Sequence, residues 1–318
     1  MFVYFLRRLL YTVPIAIGVS LFCFALIHLA PGDPLSAVLP ESASPQLVAE
    51  VRAAYGFDRS LPEQYLKWLG HVLTGDFGQS TVTRRPVLDE VAPAVVNTFA
   101  LAAAATLLGM SAGLLLGLVA GFRSGSTLDR AVTTVAVTGV SIPHYWLGMV
   151  LVVVFSVNLG LLPAMGMGSQ GADTTFSLSA DSLRALVLPA IAMAVIPAGI
   201  VARTVRSTVA EVRKREFVQT LHAKGLPPFG VFVHIVKNAA PTVLAIAGLQ
   251  LAQLLGGSIL VETVFSWPGT GFLLNTAIFT RDLPVLQGTI LVLSMFFVFI
   301  NLAVDLVQTM FDPRIKRS

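Results

Sequence analysis

Long apolar stretches, separated by shorter polar segments, recur along the whole chain. A helix needs about 20 consecutive apolar residues to cross a hydrocarbon core that is about 30 Å thick. The pattern therefore predicts an all-α polytopic membrane protein with six transmembrane helices. The predicted spans lie within residues 9–30, 99–121, 131–162, 185–202, 241–265 and 285–311.

The first stretch competes with a signal peptide, whose apolar region covers about 7–15 residues and ends at a small-residue cleavage site. Residues 9–30 are longer than that and run into Pro31-Gly32-Asp33-Pro34, so we expect a retained anchor helix. Residues 131–162 exceed one bilayer at about 1.5 Å per residue, and Pro143 interrupts them. We expect part of that stretch to lie outside the hydrocarbon core.

Basic residues set the orientation of these spans. With a cytoplasmic N-terminus, most Lys and Arg residues lie in cytoplasmic segments. Most of the others lie in one long outer segment, and charges in long segments contribute little to the orientation. Both termini are therefore predicted to be cytoplasmic. The predicted organisation is an anchor helix (1–30), an extracytoplasmic segment folded as a small helical cap (31–95), a five-helix domain (96–311) with a cytoplasmic loop (203–240), and a cytoplasmic tail (312–318).

Composition narrows the possible functions. The chain is 55% hydrophobic and 12% charged, whereas soluble domains carry about 25% charged residues. The net charge of +4 gives no reason to expect a nucleic-acid partner. A single cysteine, Cys23, excludes a disulfide framework and a thiolate metal site. The sequence has no GxxxxGK[ST] phosphate loop and no hydrolase constellation, so we expect neither an enzyme nor a bound cofactor in this chain.

The loop 203–240 is the most informative segment. Its first portion has good helix formers without Pro or Gly, and it ends at Lys224-Gly225, a pairing typical of a helix C-terminus. Pro227-Pro228 favours the start of a second helix. The predicted apolar stripe of that helix is Phe229, Phe232, Val233, Val236 and Ala240, with His234, Lys237 and Asn238 on the other side.

Two short helices joined at this corner would form a compact cytoplasmic knob. Such a knob suits docking into a groove of a soluble partner. An amphipathic hairpin lying on anionic lipid is equally compatible, because Arg213-Lys214-Arg215 would bind headgroups. The residues alone leave these two alternatives open.

The loop resembles the coupling motif of permease subunits in ATP-binding-cassette (ABC) importers of the dipeptide/oligopeptide/nickel family. The motif, Glu-Ala-Ala followed by Gly, a second apolar helix and Pro, falls on Gln219-Thr220-Leu221, Gly225, Ile235 and Pro241. The dipeptide-type variant is similar to residues 220–226 and to His234, Lys237, Asn238 and Ala239. Gln219, Leu221 and Pro227-Pro228 depart from the family pattern. Further similar blocks in the same order are 7–10, 31–34, 75–78, 85–87, 162–164, 262–271, 281–287, 301–306 and 312–315.

The resemblance implies one transmembrane half of an ATP-driven importer with the type I ABC importer fold, located in the bacterial inner membrane. It implies a second homologous permease subunit, two ATPase subunits that hold the ATP and Mg, and an extracytoplasmic binding protein that faces the outer segment. Peptides are the first substrate class; nickel or metal chelates and glutathione are the alternatives, and a secondary transporter is a remote one. The implied ATPase-coupling residues are Gln219, Thr220, Leu221, Ala223, Lys224, Gly225, His234 and Asn238. The implied extracytoplasmic loop or gate residues are Glu262, Trp267, Pro268, Gly269 and Gly271, and the loop Trp267-Pro268-Gly269 is expected to face the binding protein.

Two patterns inside the spans carry further predictions. Gly109, Gly113, Gly117 and Gly121 form a small-residue ridge that lets helices approach closely, and packing within this subunit is favoured over a subunit interface. Acidic residues within or near spans are costly, so Glu262 and Asp305 should face protein or water. A proton relay is possible for both, but a structural cap is favoured.

Overall fold

The structure, a computed structural model, describes residues 2–29, 58–168 and 175–311, together with residues 44 and 46. Most of the predicted outer cap between residues 31 and 57, and the tail 312–318, lie outside the described residues. The described part is all-α apart from one isolated bridge between Gln79 and Pro86. Its helices are α1 (Phe2–Leu29), α2 (Leu61–Leu73), α3 (Val87–Phe122), α4 (Thr127–Ser141), α5 (His144–Leu151, continued by a π-helical segment, Val152–Asn158), α6 (Ala180–Val212), α7 (Glu216–Ala223), α8 (Pro228–Gly257), α9 (Ile259–Val264), α10 (Thr270–Thr280) and α11 (Leu283–Phe311).

Four helical segments in the described chain are long and apolar enough to cross a membrane. They are Val87–Phe122, Ala180–Val212, Pro228–Gln250 and Leu283–Ala303. A fifth candidate is the bent pair of α4 and α5, which turns through 98° near Pro143. The apolar part of α1, Leu10–Ala25, is shorter. The all-α polytopic prediction is confirmed, whereas the number of six spans stays a prediction.

The core is organised around α3 and α6, which lie against each other along most of their length. All four ridge glycines of α3 are buried and face α6 of the same chain. A β-carbon would lie 2.9 Å from the Ala194 carbonyl oxygen at Gly109, 2.8 Å from that of Ala198 at Gly113, 2.6 Å from that of Ala202 at Gly117 and 2.9 Å from the Val209 Cβ at Gly121. The ridge therefore packs within this subunit, because the helix backbones come too close for any side chain.

Helix boundaries differ from the predicted spans at several points. The helix expected from residue 99 begins at Val87, since Asp89 and Glu90 favour its first turn and Val87 and Val91 pack into a buried cluster. The second helix of the predicted knob is the start of the 30-residue α8. The predicted fifth span is broken at Ser258, and the apolar α10 was not predicted.

Candidate functional site

Most of the candidate coupling residues lie on α7 and on the turn that follows it, and His234 and Asn238 lie on α8. The predicted continuous helix is interrupted after Val212, so α7 is a separate short helix, Glu216–Ala223. At its end Gly225 has φ +74°, a left-handed conformation that glycine adopts without strain. The N–H of Leu226 donates to the Leu221 carbonyl at 3.2 Å, and that of Gly225 donates to the His222 carbonyl at 2.9 Å. This pair of bonds is the Schellman arrangement that ends a helix, as Lys224-Gly225 predicted.

One face of α7 is anchored and the other is exposed. Val218 is buried, and Phe217 and Leu221 are partly buried against the same apolar cluster. Gln219, Thr220, Ala223 and Lys224 are exposed. The cluster beneath α7 consists of Val201, Val205, Val209, Val212, Val218, Val231, Ile235 and Ala239. Since this cluster draws on α6, α7 and α8, the exposed face is fixed to two long helices.

The buried face of α8 differs from the predicted stripe. Val231, Ile235 and Ala239 are buried, whereas Phe229 is 75% exposed. The predicted stripe was wrong because the first turns of α8 carry apolar residues on two faces, and periodicity alone does not show which face meets α6. Its polar side is as predicted: His234 and Asn238 are exposed, and the Asn238 amide donates to the His234 carbonyl at 2.8 Å.

Arg206 on α6 and Arg213, just after α6, hold the corner between α3 and α4, and the sequence did not single them out. Arg206 donates from Nε and Nη2 to the two carboxylate oxygens of Asp129 at 2.8 and 2.7 Å. Arg213 donates to the carbonyls of Gly121 and Phe122 at the end of α3, and its guanidinium lies 5.5 Å from the centre of the Phe122 ring. The signal available was an acid in the first turn of α4 and two arginines seven residues apart, near and just after the end of α6.

A second polar site surrounds Glu262, which is fully buried on α9. Its Oε1 accepts from the Thr98 hydroxyl at 2.9 Å, and its Oε2 accepts from the backbone N–H groups of Gly271 at 2.7 Å and Phe272 at 3.2 Å. These N–H groups belong to the first turn of α10, which favours a negative charge. Gly269 is required beside this carboxylate, since a β-carbon there would lie 2.4 Å from Oε2. The geometry is that of a buried helix cap, the favoured interpretation of Glu262. The Asp305 side chain lies outside the described ones.

The loop before α10 is locked to α3 and does not offer a tryptophan to a partner. Trp267 is fully buried, and its Nε1 donates to the Asn97 carbonyl at 3.0 Å. The Asn97 amide donates to the Pro268 carbonyl at 2.8 Å. Gly269 and Gly271 are buried as well, and Pro268 is partly exposed. The expectation that Trp267 and Gly269 face a binding protein is therefore corrected, because both are enclosed within this chain.

Comparisons with known proteins agree with this architecture. Residues 113–317 match the family described as binding-protein-dependent transport system inner membrane component, and residues 1–102 match the N-terminal family of such membrane components. The chain belongs to the family of inner membrane components of binding-protein-dependent transport systems. It is a multi-pass protein of the bacterial inner membrane.

Individual relatives match over nearly the full length. The dipeptide transport system permease protein DppB of Alkalihalophilus pseudofirmus is 38% identical over 99% of this chain and 100% of its own length. The glutathione transport system permease protein GsiC of Salmonella paratyphi A is 38% identical over 98% of each chain. Among solved structures, a chain of the inward-facing MetNI methionine ABC transporter matches with a TM-score of 0.57 and 19% identity, over 70% of this chain and 96% of that one. That likeness shows a shared fold.

Proposed function

We propose that this chain forms half of the translocation pathway of an ATP-driven importer for di- and oligopeptides. It works by alternating access between inward- and outward-open states, with six spans and cytoplasmic termini. Its partners are a second homologous permease, two ATPases that bind ATP and Mg, and an extracytoplasmic binding protein. The observation that carries the proposal is α7: a short helix with Gln219, Thr220 and Lys224 exposed and Val218 anchored in the core.

A coupling element needs both properties. The exposed face gives an ATPase subunit a surface to bind, the helix-in-groove mode of recognition. The anchored face makes α7 move together with α6 and α8, because Val218 packs in one cluster with residues of both. An ATPase subunit shifts the equilibrium between the inward- and outward-open states only if it binds them with different affinity. Its affinity differs only if α7 moves together with the spans, which a loosely attached helix would not do.

The substrate class rests on relatives. Full-length similarity to a dipeptide permease supports peptides, and equal identity to a glutathione permease supports glutathione as the second candidate. Glutathione is itself a tripeptide, so its chemistry is closer to that of a dipeptide than the chemistry of a metal ion is.

The test is uptake by intact cells with and without this chain. Labelled dipeptide, glutathione and nickel are offered side by side, each with and without depletion of ATP. We expect the ATP-dependent uptake of dipeptide to be lost when the chain is absent, while uptake of glutathione and nickel stays unchanged. Selective loss of glutathione or nickel uptake would change the assigned substrate and leave the proposed mechanism unchanged. Uptake that follows an ion gradient and not ATP would contradict the importer class.

A further inference from the structure

The contact between α4 and α6 combines close apolar packing at two glycines with a partly buried ion pair. A β-carbon at Gly199 of α6 would lie 2.6 Å from the Ala136 carbonyl, and one at Gly139 of α4 would lie 2.9 Å from the Val195 Cγ1. A valine side chain lies in each of these notches, since a β-carbon at Gly199 would also lie 2.6 Å from the Val140 Cγ2. The Asp129–Arg206 pair lies nearer the start of α4, and it adds a directional polar link between the two helices.

The geometry of the pair is that of a fixed joint. The Asp129 side chain is 3% exposed, and that of Arg206 is 35% exposed. Both carboxylate oxygens accept from the same guanidinium, and Oδ2 also accepts from the Gly125 N–H at 2.8 Å. A bidentate arginine–carboxylate pair restricts both distance and orientation, which a lysine cannot do. Asp129 thus joins the turn before α4, α4 itself and α6.

Packed contacts lead from the Asp129–Arg206 pair to α7 in one direction and to the region of Glu262 in the other. Arg206 lies about two turns before the end of α6, next to Val205 of the cluster that anchors α7. Beyond the bend, α4 is continued by α5, where a β-carbon at Gly148 would lie 2.9 Å from the Phe265 ring. Phe265 follows α9, the helix that carries the buried Glu262. A contiguous path of packed residues therefore leads from α7 through α6 and α4 to the Glu262 region.

We propose that Asp129 and Arg206 are positioning residues for transport: their ion pair makes α4 move with α6 when α7 is displaced. This inference rests on the proposed function, because it assumes an ATPase that displaces α7. Burial of an ion pair is weak grounds for a stabilising role, since desolvation offsets much of the attraction. Geometric specificity is the property that this pair supplies.

The first arm of the test measures movement and needs no substrate. Cys23→Ala removes the native thiol, and spin labels are attached at Thr134→Cys on α4 and Lys214→Cys after α6, both exposed positions. Distances are measured in the complete complex without nucleotide and trapped with ATP and vanadate. With Arg206 present, we expect the same distance in both states. With Arg206→Gln, we expect the distance to shift or broaden on trapping.

The second arm measures peptide uptake per ATP hydrolysed by the reconstituted complex. We expect Arg206→Gln to lower this ratio about two- to thirtyfold, the range for residues that carry coupling between sites. Arg206→Lys, which keeps the charge without the fork, should fall between Arg206→Gln and the natural chain. Arg130→Gln is the matched control: Arg130 follows Asp129 in the sequence and is exposed, so this variant should leave the ratio unchanged.

Asp129→Asn is the second variant if Arg206→Gln fails to co-purify with the ATPase, since asparagine keeps an acceptor for the Gly125 N–H. Loss of the complex in both variants would make the pair purely structural and overturn the proposal. Distances and ratios equal to those of the natural chain would overturn it as well. If the natural complex carries no peptide, the substrate assignment fails, and the distance arm still decides the inference.

Discussion

At the scale of single residues, the contact between α3 and α6 depends on the absence of side chains at four positions. We predict that Gly117→Ala lowers the free energy of unfolding by about 1–3 kcal/mol, the usual cost of overpacking. Its β-carbon would meet the Ala202 carbonyl and the Val205 Cβ, both at 2.6 Å. The measurement is thermal unfolding of the purified protein in detergent.

Gly18→Ala is the control for that substitution, because nothing lies within 4 Å of a β-carbon at Gly18 on α1. Alanine has the higher helix propensity, so this variant should be unchanged or more stable by up to about 1 kcal/mol. Equal stability of the two alanine variants would contradict the close contact described for Gly117.

Also at the residue scale, substitutions of the buried Glu262 distinguish a structural role from a proton relay. We predict that Glu262→Ala costs about 1–3 kcal/mol of stability, because the N–H groups of Gly271 and Phe272 lose their acceptor. Glu262→Gln keeps an acceptor oxygen and nearly the same volume, so it should be milder and should retain uptake. Loss of uptake by a stable Glu262→Gln variant would instead favour the relay.

At the scale of elements, α7 must remain helical up to its last turn to transmit a displacement. We predict that Ala223→Pro uncouples transport: ATP hydrolysis continues and peptide uptake falls to background. Proline in a helix interior removes a hydrogen bond and costs about 3 kcal/mol, enough to unwind an eight-residue helix. The assay measures uptake and hydrolysis on the same reconstituted complex.

Ala223→Ser is the control, since Ala223 is exposed and serine keeps the backbone N–H. It should transport normally. Normal ATP-dependent uptake by Ala223→Pro would show that α7 is not a coupling element.

The elements also show how far local sequence signals extend. Lys224-Gly225 and Pro227-Pro228 predicted the turn between α7 and α8, because helix ends depend on residues within a few positions of each other. The break after Val212 and the buried face of α8 were not predicted. Both depend on where α6 lies, and the sequence around Phe229 and Phe232 is apolar on more than one side.

At the scale of the whole molecule, the described helices form one connected frame. α3 and α6 share the glycine contact, α7 rests on α6 and α8, and Arg206 and Arg213 hold α4 and the end of α3. Trp267 and Glu262 attach the region of α9 and α10 to α3 through Asn97 and Thr98. A displacement applied at α7 therefore has a packed route across the molecule.

The sequence by itself determined the class of the protein, its long apolar helices and the turn between α7 and α8. These follow from hydropathy, helix-end residues and motif order, all of which act over short distances along the chain. Only the tertiary structure decided that Arg206 pairs with Asp129, that Trp267 is enclosed, and that Glu262 caps α10. Each of these joins residues far apart in sequence, and a partner of that kind is chosen by packing geometry, which residue type and spacing do not encode.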